Sequence, residues 1–321
     1  MSDIPTGRAL GKCFYVDHAD RFTLNQRIGL LRSKKIQSKY LFYAVDRNSY
    51  FLRFDDGVNQ TNLRKDEVLS CPILVPPYQE QKKIAAILST WDRAIELTEK
   101  LIAAKQQRKA ALMQQLLTGK VRLPGFTGEW PAIKAGDIFK PVSAKNHPEE
   151  RVLSVTQDMG VVCRDEMDRK INMSLENTGG YKLVIPGDFI ISLRSFQGGL
   201  ELSRLRGIVS PAYHVIRPVI EVDTEFFRHF FKSYEFIGRL AVAVIGIRDG
   251  KQINFEDFAF LKFHVPPVDE QKRISAVLNT QAQEIDLLAR KLDALRRQKK
   301  GIMQQLLTGK VRVKVTESSG E

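Results

Sequence analysis

The chain has few of the residues that build disulfide frameworks or membrane spans. It has 321 residues but only three cysteines, and Cys13, Cys71 and Cys163 lie far apart and in no metal-ligand spacing. We therefore predict reduced, structural thiols. The longest apolar stretch, around residues 240–247, is too short to cross a bilayer, and the opening segment MSDIPTGRALGK has no apolar core of a secretory signal. These absences predict a cytoplasmic protein.

Residue patterns of common catalytic sites are also absent. No glycine-rich loop follows a predicted strand, and no paired-histidine metal motif occurs. The run at residues 165–170 combines carboxylates with a lysine but matches a nuclease site poorly, so a solvated loop is the better interpretation. The histidines have no motif partner, and we expect ordinary surface or core positions for His18, His147, His214, His229 and His264.

One short motif superficially resembles a catalytic one. VPPY at residues 75–78 is similar to the (Asn/Asp)-Pro-Pro-(Tyr/Phe) motif of amino-methyltransferases, in which the first side chain hydrogen-bonds the amine that is methylated. Valine has no hydrogen-bonding side-chain group, and the second occurrence, VPPV at residues 265–268, lacks the aromatic residue as well. The motif therefore does not predict methyltransferase chemistry.

Positive charge is in excess. The chain has 50 Lys and Arg residues against 37 Asp and Glu residues, which gives a formal net charge of +13. A field of this sign attracts polyanions, so the composition favours nucleic acid over an acidic protein or a neutral ligand as the partner. The hydrophobic content of 43% is enough for the cores of two ordinary domains.

A block of the chain occurs twice. Residues 75–122 reappear 190 residues later as residues 265–312, with 24 of 48 positions identical. Each copy begins with a Pro-Pro pair and an acidic, Gln-rich first turn, and each ends at Thr-Gly-Lys, where glycine can take the positive φ that closes a helix. The repeat predicts two helices over about residues 80–117 and 270–307, each roughly 57 Å long at 1.5 Å per residue.

Both helices carry a heptad pattern that predicts a shared seam. The bland alternative is two ordinary core helices in one globule, but a matched pair this long favours an antiparallel intramolecular coiled coil. Polar residues within the seam help to fix its register. The predicted seam consists of Ile84, Leu88, Trp91, Ile95, Thr98, Ile102, Lys105, Lys109, Leu112 and Leu116 in the first helix and of Ile274, Leu278, Gln281, Ile285, Leu288, Leu292, Leu295, Lys299, Ile302 and Leu306 in the second.

The segment between the repeats, residues 123–264, has the size and the short β-rich runs of one domain. A helix over about residues 224–243 carries an apolar stripe at core-forming spacing, which packing explains better than base stacking. The stripe consists of Phe226, Phe227, Phe230, Phe231, Tyr234, Ile237 and Leu240. We predict strands at residues 151–155, 181–185, 189–193, 208–217 and 260–265.

The first 74 residues echo only the closing half of that domain. Residues 23–32 align with residues 208–217, and residues 38–41 align with residues 224–227 as similar capped helix starts. No counterpart of about residues 124–194 precedes them. We expect that the first domain is a fragment or that another chain completes it.

These motifs together resemble the specificity subunit of type I restriction-modification enzymes. The matching segments are PPYQEQKKI at 76–84 with PPVDEQKRI at 266–274, QQLLTGKVR at 114–122 and 304–312, LPGF at 123–126 with Trp130, YKLVIPGDF at 181–189 and NQRI at 25–28. The resemblance covers essentially the whole chain. A single PPxxEQ motif would be weak evidence, whereas a doubled set in the same order is specific.

The resemblance implies an α+β fold, with β-rich target-recognition domains joined by the antiparallel helices, and a subunit without an active site. Each domain would read half of a split sequence in double-stranded DNA. The helices would set the gap and dock two modification subunits, which carry S-adenosylmethionine and methylate adenine, and restriction subunits would join them. No cofactor is expected on this chain. The implied domains are 1–74, a partial first recognition domain; 75–122, the first repeat helix; 123–264, a complete second recognition domain; and 265–321, the second helix and tail.

Candidate DNA contacts follow from residue type and predicted loop position. Base edges are read by Arg, Lys, Asn, Gln, Ser or Thr beside small neighbours, and phosphates are gripped by cations and backbone amides. Arg194, Gln197, Arg248 and Lys251 are the first choices. The full set is Ser154, Thr156, Gln157, Lys170, Tyr181, Arg194, Ser195, Gln197, Arg248, Lys251 and Gln252. Basic runs at residues 105–109 and 290–300 are better explained as solvated or docking faces than as DNA contacts.

Two other functions remain open. A shortened first domain that does not bind DNA would leave a half-site reader, which dimerises or acts as an assembly scaffold. A fragment of a fused methyltransferase and specificity protein would need a cofactor domain, and no part of these 321 residues supplies one.

Overall fold

The structure, a computed structural model, describes residues 10–18, 22–25, 28–55, 63–157, 159–167, 175–193, 195–244 and 253–315. The chain divides into two compact units, residues 1–103 with 287–321 and residues 104–286. Both divisions fall inside the long helices, so the predicted domain boundaries stay predictions. Within the described ranges, no helix is long and apolar enough to cross a membrane.

The secondary structure is mixed, as predicted. The helices are α1 (Ser38–Val45), α2 (Lys65–Leu69), α3 (Tyr78–Leu116), α4 (Ala135–Ile138), α5 (Ser195–Gly198), α6 (Thr224–Phe230), α7 (Tyr234–Val244), α8 (Phe255–Ala259) and α9 (Val268–Leu307). The strands are β1 (Ala132–Lys134), β2 (Phe139–Val142), β3 (Leu153–Thr156), β4 (Gly160–Cys163), β5 (Lys182–Val184), β6 (Phe189–Ile191), β7 (Glu201–Leu202), β8 (Gly207–Val209), β9 (His214–Pro218) and β10 (Lys262–His264). Short 3-10 turns cover Ser49–Phe54, Arg164–Glu166 and Leu175–Gly180.

The two repeat helices, α3 and α9, begin and end within two residues of the predicted positions. Both end at a glycine with positive φ, 70° at Gly119 and 72° at Gly309. The backbone N–H two residues later turns back to the helix, from Val121 to Gln115 O and from Val311 to Gln305 O, at 3.2 Å in both cases. The same local sequence therefore closes both helices in the same way.

In the first unit, the start of α3 lies antiparallel to the end of α9. Ile84 and Leu88 share a buried cluster with Leu306, and Tyr40 and Tyr43 of α1 complete it. Ion pairs run in opposite directions along the two helices and join Glu80 to Arg312, Asp92 to Lys299 and Glu99 to Arg296. The coiled-coil prediction is confirmed in this unit.

In the second unit, the end of α3 lies antiparallel to the start of α9. Leu116 shares a cluster with Ile274 and Leu278, and the ion pairs join Lys105 to Glu284 and Arg122 to Glu270. Each of the twenty predicted seam residues is buried or half-buried. The heptad pattern therefore predicted the contact face of both helices.

The β-rich domain of the second unit is built on an antiparallel sheet in the order β2-β9-β6-β7. The other strands form two-stranded pairs, β1 with β10, β3 with β4 and β5 with β8. On one face of the sheet, the ring of Phe139 lies 5.1 to 5.7 Å from the rings of Phe189, Phe227 and Phe231. Burial of each such side chain contributes about 1.5–3 kcal/mol, so α6 is held firmly on the sheet.

The motif YKLVIPGDF places a buried carboxylate at the entry to β6. Asp188 is 1% exposed; its Oδ2 accepts the backbone N–H of Ile185 at 2.9 Å, and its Oδ1 accepts Nε of Arg217 at 2.6 Å. One side chain thus closes the Pro-Gly turn and joins it to β9. The Gly-Asp pair of the motif therefore has a structural role in this turn, and no DNA contact is needed to explain it.

Two predicted elements were wrong in extent. The predicted strand 208–217 is two strands, β8 and β9, because residues 211–212 form a turn at Pro211, which has no backbone N–H for a sheet ladder. The predicted helix 224–243 breaks between α6 and α7. After this break Tyr234 is 93% exposed instead of buried, and Phe236, at 1%, takes the core position.

The other predicted strands are confirmed but shorter, as β3, β5, β6 and β10. Four strands were missed, and β7 has only two residues, too few to show an alternating pattern. The helix starts of α1 and α6 are confirmed, with caps one residue earlier than the aligned pair, at Gln37 and Asp223. The described part of residues 23–32 contains no strand, so its alignment with β8 and β9 is not matched in structure.

Candidate nucleic-acid interface and paired helices

Each repeat helix begins with a buried carboxylate that is bound by an arginine of the other repeat. Arg312 donates from Nε to Oε1 of Glu80 at 2.8 Å and from Nη2 to Oε2 at 2.6 Å. Arg122 donates in the same way to Glu270, at 2.7 and 2.6 Å. The Glu of PPxxEQ and the Arg of TGKxR therefore pair crosswise, and neither repeat is complete without the other.

A third donor completes each of these pairs. The backbone N–H of Val313 donates to Glu80 at 3.2 Å, and Nε1 of Trp130 donates to Glu270 at 3.1 Å. Hydrogen bonds from Arg312 are the main reason that the pKa of Glu80 is lowered. Charge-assisted pairs with this fork geometry are the stronger class of hydrogen bond.

The glutamine that follows each carboxylate joins three segments. Nε2 of Gln81 donates to Pro76 O at 2.7 Å while its Oε1 accepts the N–H of Gln37 at 2.9 Å. Gln271 repeats both bonds, to Pro266 O at 2.8 Å and from Asp223 N at 2.8 Å. Because Gln37 and Asp223 cap α1 and α6, the glutamine ties the domain before each helix to the helix itself. We call each set of Glu, Gln and partner Arg a latch.

Farther along the helices, the two halves differ in charge. In the first unit, Lys299 forms an ion pair with Asp92, which also accepts a 2.6 Å hydrogen bond from Tyr43 Oη. The equivalent positions in the second unit are Lys109, Ala282 and His229, so the carboxylate is missing there. Burial and then the nearby Arg228 lower the pKa of Lys109.

His229 holds the position in the second unit that Tyr43 holds in the first, and its side chain is buried. Its Nε2 lies 2.9 Å from Oδ1 of Asn279, and Nη2 of Arg228 donates to the same oxygen at 2.6 Å. Burial, followed by repulsion from Arg228, lowers the pKa of His229 to about 4. This histidine is therefore neutral at pH 7 and occupies a core position, one of the two kinds of position that the sequence predicted for the histidines.

Three candidate DNA contacts lie on the β3–β4 hairpin. Ser154 is half-buried on β3, while Oγ1 of Thr156 donates to Gly160 O at 3.0 Å and accepts Met159 N at 3.1 Å, which closes the hairpin. Gln157 is exposed at its tip. A Cβ on Gly198 would lie 2.9 Å from the Gln157 side chain, so hairpin and α5 lie against each other.

The other described candidates are on or near α5 and β5. Gln197 is exposed on α5, and Tyr181 is half-buried just before β5. Ser195 is 1% exposed, and its Oγ accepts Ser192 N at 2.8 Å, so it holds the turn and is no longer a candidate for direct contact. Five candidates lie outside the described residues and stay predictions, namely Lys170, Arg194, Arg248, Lys251 and Gln252.

The hairpin tip lies at the edge of a polar cleft of about 520 Å³, which the sequence did not predict. Arg204, Arg228 and Lys232 line it together with Gln157 and Asn279. Glu201 forms an ion pair with Lys232. Glu225 forms ion pairs with both Arg204 and Arg228. No motif marks these cations, because they come from separate elements that only the fold brings together.

Three kinds of candidate catalytic group remain in the described residues: metal ligands, the acidic run and the thiols. There, no set of three His, Cys, Asp or Glu side chains is arranged to hold a metal ion. Asp165 and Glu166, from the acidic run, are exposed in a 3-10 turn. Cys13, Cys71 and Cys163 are free thiols, and burial raises the pKa of Cys13 to about 11.

A comparison with protein families agrees with this arrangement. The family described as the type I restriction modification DNA specificity domain matches residues 4–106 and 128–297. The chain belongs to this family. The first matched range ends within α3 and the second within α9, so each match contains the segment before one repeat helix and most of that helix.

Curated relatives in the type I specificity family cover nearly the whole chain. The putative type I restriction enzyme MjaX specificity subunit of Methanocaldococcus jannaschii is 26% identical over 339 residues, which are 98% of this chain and 78% of the relative. The MjaVIII specificity subunit of the same organism is 25% identical over 321 residues, 88% and 72% of the two chains. The Glu, Gln and Arg residues of the two latches thus lie in a chain that matches type I specificity subunits over most of its length.

Solved structures of type I systems share the fold. The S subunit of a type I restriction-modification system from M. genitalium has a TM-score of 0.52 at 13% identity, over 88% of this chain and 74% of that one. A chain from work on complex assembly and conformational transition of the type I R-M system has a TM-score of 0.52 at 17% identity, over 87% and 73%. The α+β fold with paired helices is therefore that of type I specificity subunits.

Proposed function

We propose that this chain is the DNA sequence-specificity subunit of a type I restriction-modification complex and that it reads a split target. It carries no active site and no cofactor of its own. Two modification subunits dock on it, bring S-adenosylmethionine and methylate adenine, and restriction subunits join the same complex. Because its substrate is genomic DNA, the complex acts in the cytoplasm.

The duplicated latch is the observation that carries this proposal. Glu80 with Arg312 and Glu270 with Arg122 fix two copies of one helix antiparallel, and Gln81 and Gln271 tie a preceding segment to each copy. A protein with two equivalent attachment points suits two half-sites and two identical partners. A single-site enzyme would gain nothing from the duplication.

The hairpin tip and α5 are the proposed reading surface of the second domain. Gln157 and Gln197 are exposed there, and an amide side chain can bond adenine at two atoms. Arg194, Arg248 and Lys251 remain first choices on sequence grounds. The cleft cations Arg204 and Lys232 suit phosphate contacts, which position a protein on DNA without reading sequence.

If Gln197 reads a base, Gln197→Ala should weaken binding to the cognate duplex by about 1–3 kcal/mol and relax the preference at one base pair. Competition binding with single-base variants of the target measures both effects. Gln106→Ala, at an exposed glutamine on α3, is the matched control and should change neither. Equal weakening on all sequences would reassign Gln197 to a phosphate contact.

One observation favours a second candidate function, a half-site reader that pairs with another chain. The first domain exposes large apolar side chains, among them Phe14 at 72%, Phe22 at 58% and Leu24 at 61%. Surfaces of this kind mark interaction sites. A partner that covers them would supply the second reading domain.

Mapping of methylated adenines across a genome separates these functions. Cells with the modification subunit are compared with and without this chain. A motif of two different half-sites at fixed spacing supports the proposal. A palindromic pair of one half-site supports the second candidate, and an unchanged methylation pattern contradicts both.

A further inference from the structure

The second unit lacks one carboxylate that the first unit has, and a cleft lies at the position where it is missing. In the first unit, Asp92 accepts a hydrogen bond from Tyr43 Oη at 2.6 Å and forms an ion pair with Lys299. Ala282 holds the equivalent position of α9, and it lines the polar cleft of about 520 Å³. The second unit therefore keeps the cation of this network, Lys109, without the anion.

Lys109 is half-buried on α3. Burial and then repulsion from Arg228 lower the pKa of Lys109, and within the described part of the chain no carboxylate offsets these effects. A half-buried cation without a partner favours any anion that can reach it, because the surrounding protein screens charge less than water does. The cleft beside Ala282 is the route by which such an anion could arrive.

Arg228 offers further donors in the same cleft. Its Nε donates to Glu225 at 2.7 Å and its Nη2 donates to Oδ1 of Asn279 at 2.6 Å. A guanidinium has five N–H groups, and in the described residues Nη1 makes no hydrogen bond, so two donors are available to a ligand. Because Lys109 and Arg228 repel each other, an anion in contact with both would remove an unfavourable interaction.

The cleft has the size and the lining of a small-molecule site. Such sites are roughly 300–1,000 Å³ in volume and combine apolar walls with a few polar groups that orient the ligand. Met159, Val161 and Leu202 supply apolar contacts, and Asn279 and Gln283 supply amide groups. A planar heterocycle fits the apolar contacts and the amides, while a phosphate fits the cations.

We infer that this cleft binds a free mononucleotide, whose phosphate is held by Lys109 and Arg228 and replaces the carboxylate that Asp92 supplies in the first unit. The nucleotide is a bound ligand and not a catalytic cofactor. Arg204, whose side chain is 67% exposed, remains accessible to the DNA backbone. Nucleotide binding here requires neither DNA nor a modification subunit, so it goes beyond the proposed function.

Isothermal titration calorimetry of the full chain without DNA tests this site, with adenosine monophosphate as the probe. Wild type should bind one equivalent. Ala282→Asp supplies the missing carboxylate, so it should weaken binding at least about tenfold while the fold stays stable. Lys109→Met should weaken binding to a similar extent because it removes a charge-assisted contact. Ala111→Asp, the same change at an exposed alanine of α3, is the matched control and should bind as wild type does.

Inorganic phosphate separates the nucleotide from its phosphate group. It should bind at least about tenfold more weakly, because it makes no contact with Gln283 or the apolar walls. Equal affinities would overturn the assignment of a nucleotide. Bound nucleotide should also raise the midpoint of thermal unfolding of wild type, and it should not raise that of Ala282→Asp.

Two other results would overturn nucleotide binding and leave the proposed function standing. One is that wild type binds no nucleotide at millimolar concentration, or that Ala282→Asp binds it as tightly as wild type. The other is that Lys109→Met weakens binding of duplex DNA while the nucleotide neither binds nor competes, which would assign the cleft to the DNA backbone.

Discussion

The two latch glutamates face different surroundings although their motifs are the same. Glu270 is 0% exposed and binds both Arg122 and Trp130, whereas the partner of Glu80 is an arginine whose side chain is 65% exposed. Water can therefore hydrate Arg312 when its carboxylate is lost, but it reaches Arg122, at 20%, much less. Loss of the carboxylate should therefore destabilise the protein more at Glu270 than at Glu80.

Glu270→Ala should lower the free energy of unfolding by about 1–3 kcal/mol, because it leaves the buried Nε1 of Trp130 without its acceptor as well as Arg122 without its partner. Glu80→Ala should cost less. Urea unfolding followed by circular dichroism measures both changes. Glu96→Ala, which removes an exposed pair with Lys100 on α3, is the control and should change little. Equal losses at the two latches would contradict this account.

His229 gives the second unit a dependence on pH. Its pKa is about 4 when folded and 6.5 in the ordinary state, so the unfolded chain binds the proton more tightly between these values. The contribution to stability is therefore complete above pH 6.5 and is lost as the pH falls towards 4, by at most about 3 kcal/mol.

The variant His229→Gln should lose this part of the pH dependence while keeping a polar neighbour for Asn279. The measurement is the free energy of unfolding of variant and wild type at pH 7, 6 and 5. Carboxylates titrate in both proteins and cancel in the difference. Parallel curves for the two proteins would show that protonation of His229 does not drive the acid loss.

At the scale of elements, one difference between the two helix pairs is a carboxylate that is present in the first unit and missing in the second. Lys299 has Asp92, but Lys109 faces a position occupied by Ala282. Ala282→Asp should therefore stabilise the chain by about 0.5–1 kcal/mol through a pair with Lys109. Thermal unfolding measures the change, and the same substitution in a Lys109→Met background should give no gain. Asp92→Ala is the reverse experiment and should destabilise.

The sequence predicted the long helices well because several independent signals agreed. Proline pairs, acidic first turns, glycine ends and a heptad seam all occur twice. Short strands such as β7 lack any such agreement, since their conformation depends on partners distant in the chain. The break after α6 was missed because Phe231 and Tyr234 continue the apolar spacing, although only Phe231 is buried.

The candidate site was less predictable than the fold. The motifs containing Glu80 and Arg312 were both recognised, yet nothing in either motif says that they bind each other across 232 residues. The cleft cations Arg204 and Arg228 carry no motif at all. Exposed polar loops occur on every domain, so residue type alone does not separate Gln157 and Gln197 from other exposed amide side chains.

The whole molecule carries a charge of +13, and this charge should govern its affinity for DNA in general. We expect log affinity to fall linearly with log salt concentration, by about a thousandfold between 50 and 200 mM salt if six phosphates are neutralised. Fluorescence anisotropy of the assembled complex on cognate and scrambled duplexes measures this. Binding to scrambled DNA that does not respond to salt would contradict the electrostatic account.

The crosswise pairing of the two latches determines which segment of the chain a foreign domain can replace. Replacing residues 123–264 with a foreign domain would leave all four latch ions in place, since Glu80, Arg122, Glu270 and Arg312 lie outside it. The insert would still have to present two N–H donors, as Trp130 does to Glu270 and Asp223 to Gln271. A chimera whose foreign domain provides both donors would recognise a new DNA target. Its paired helices would be unchanged, so it would bind the same number of modification subunits as before.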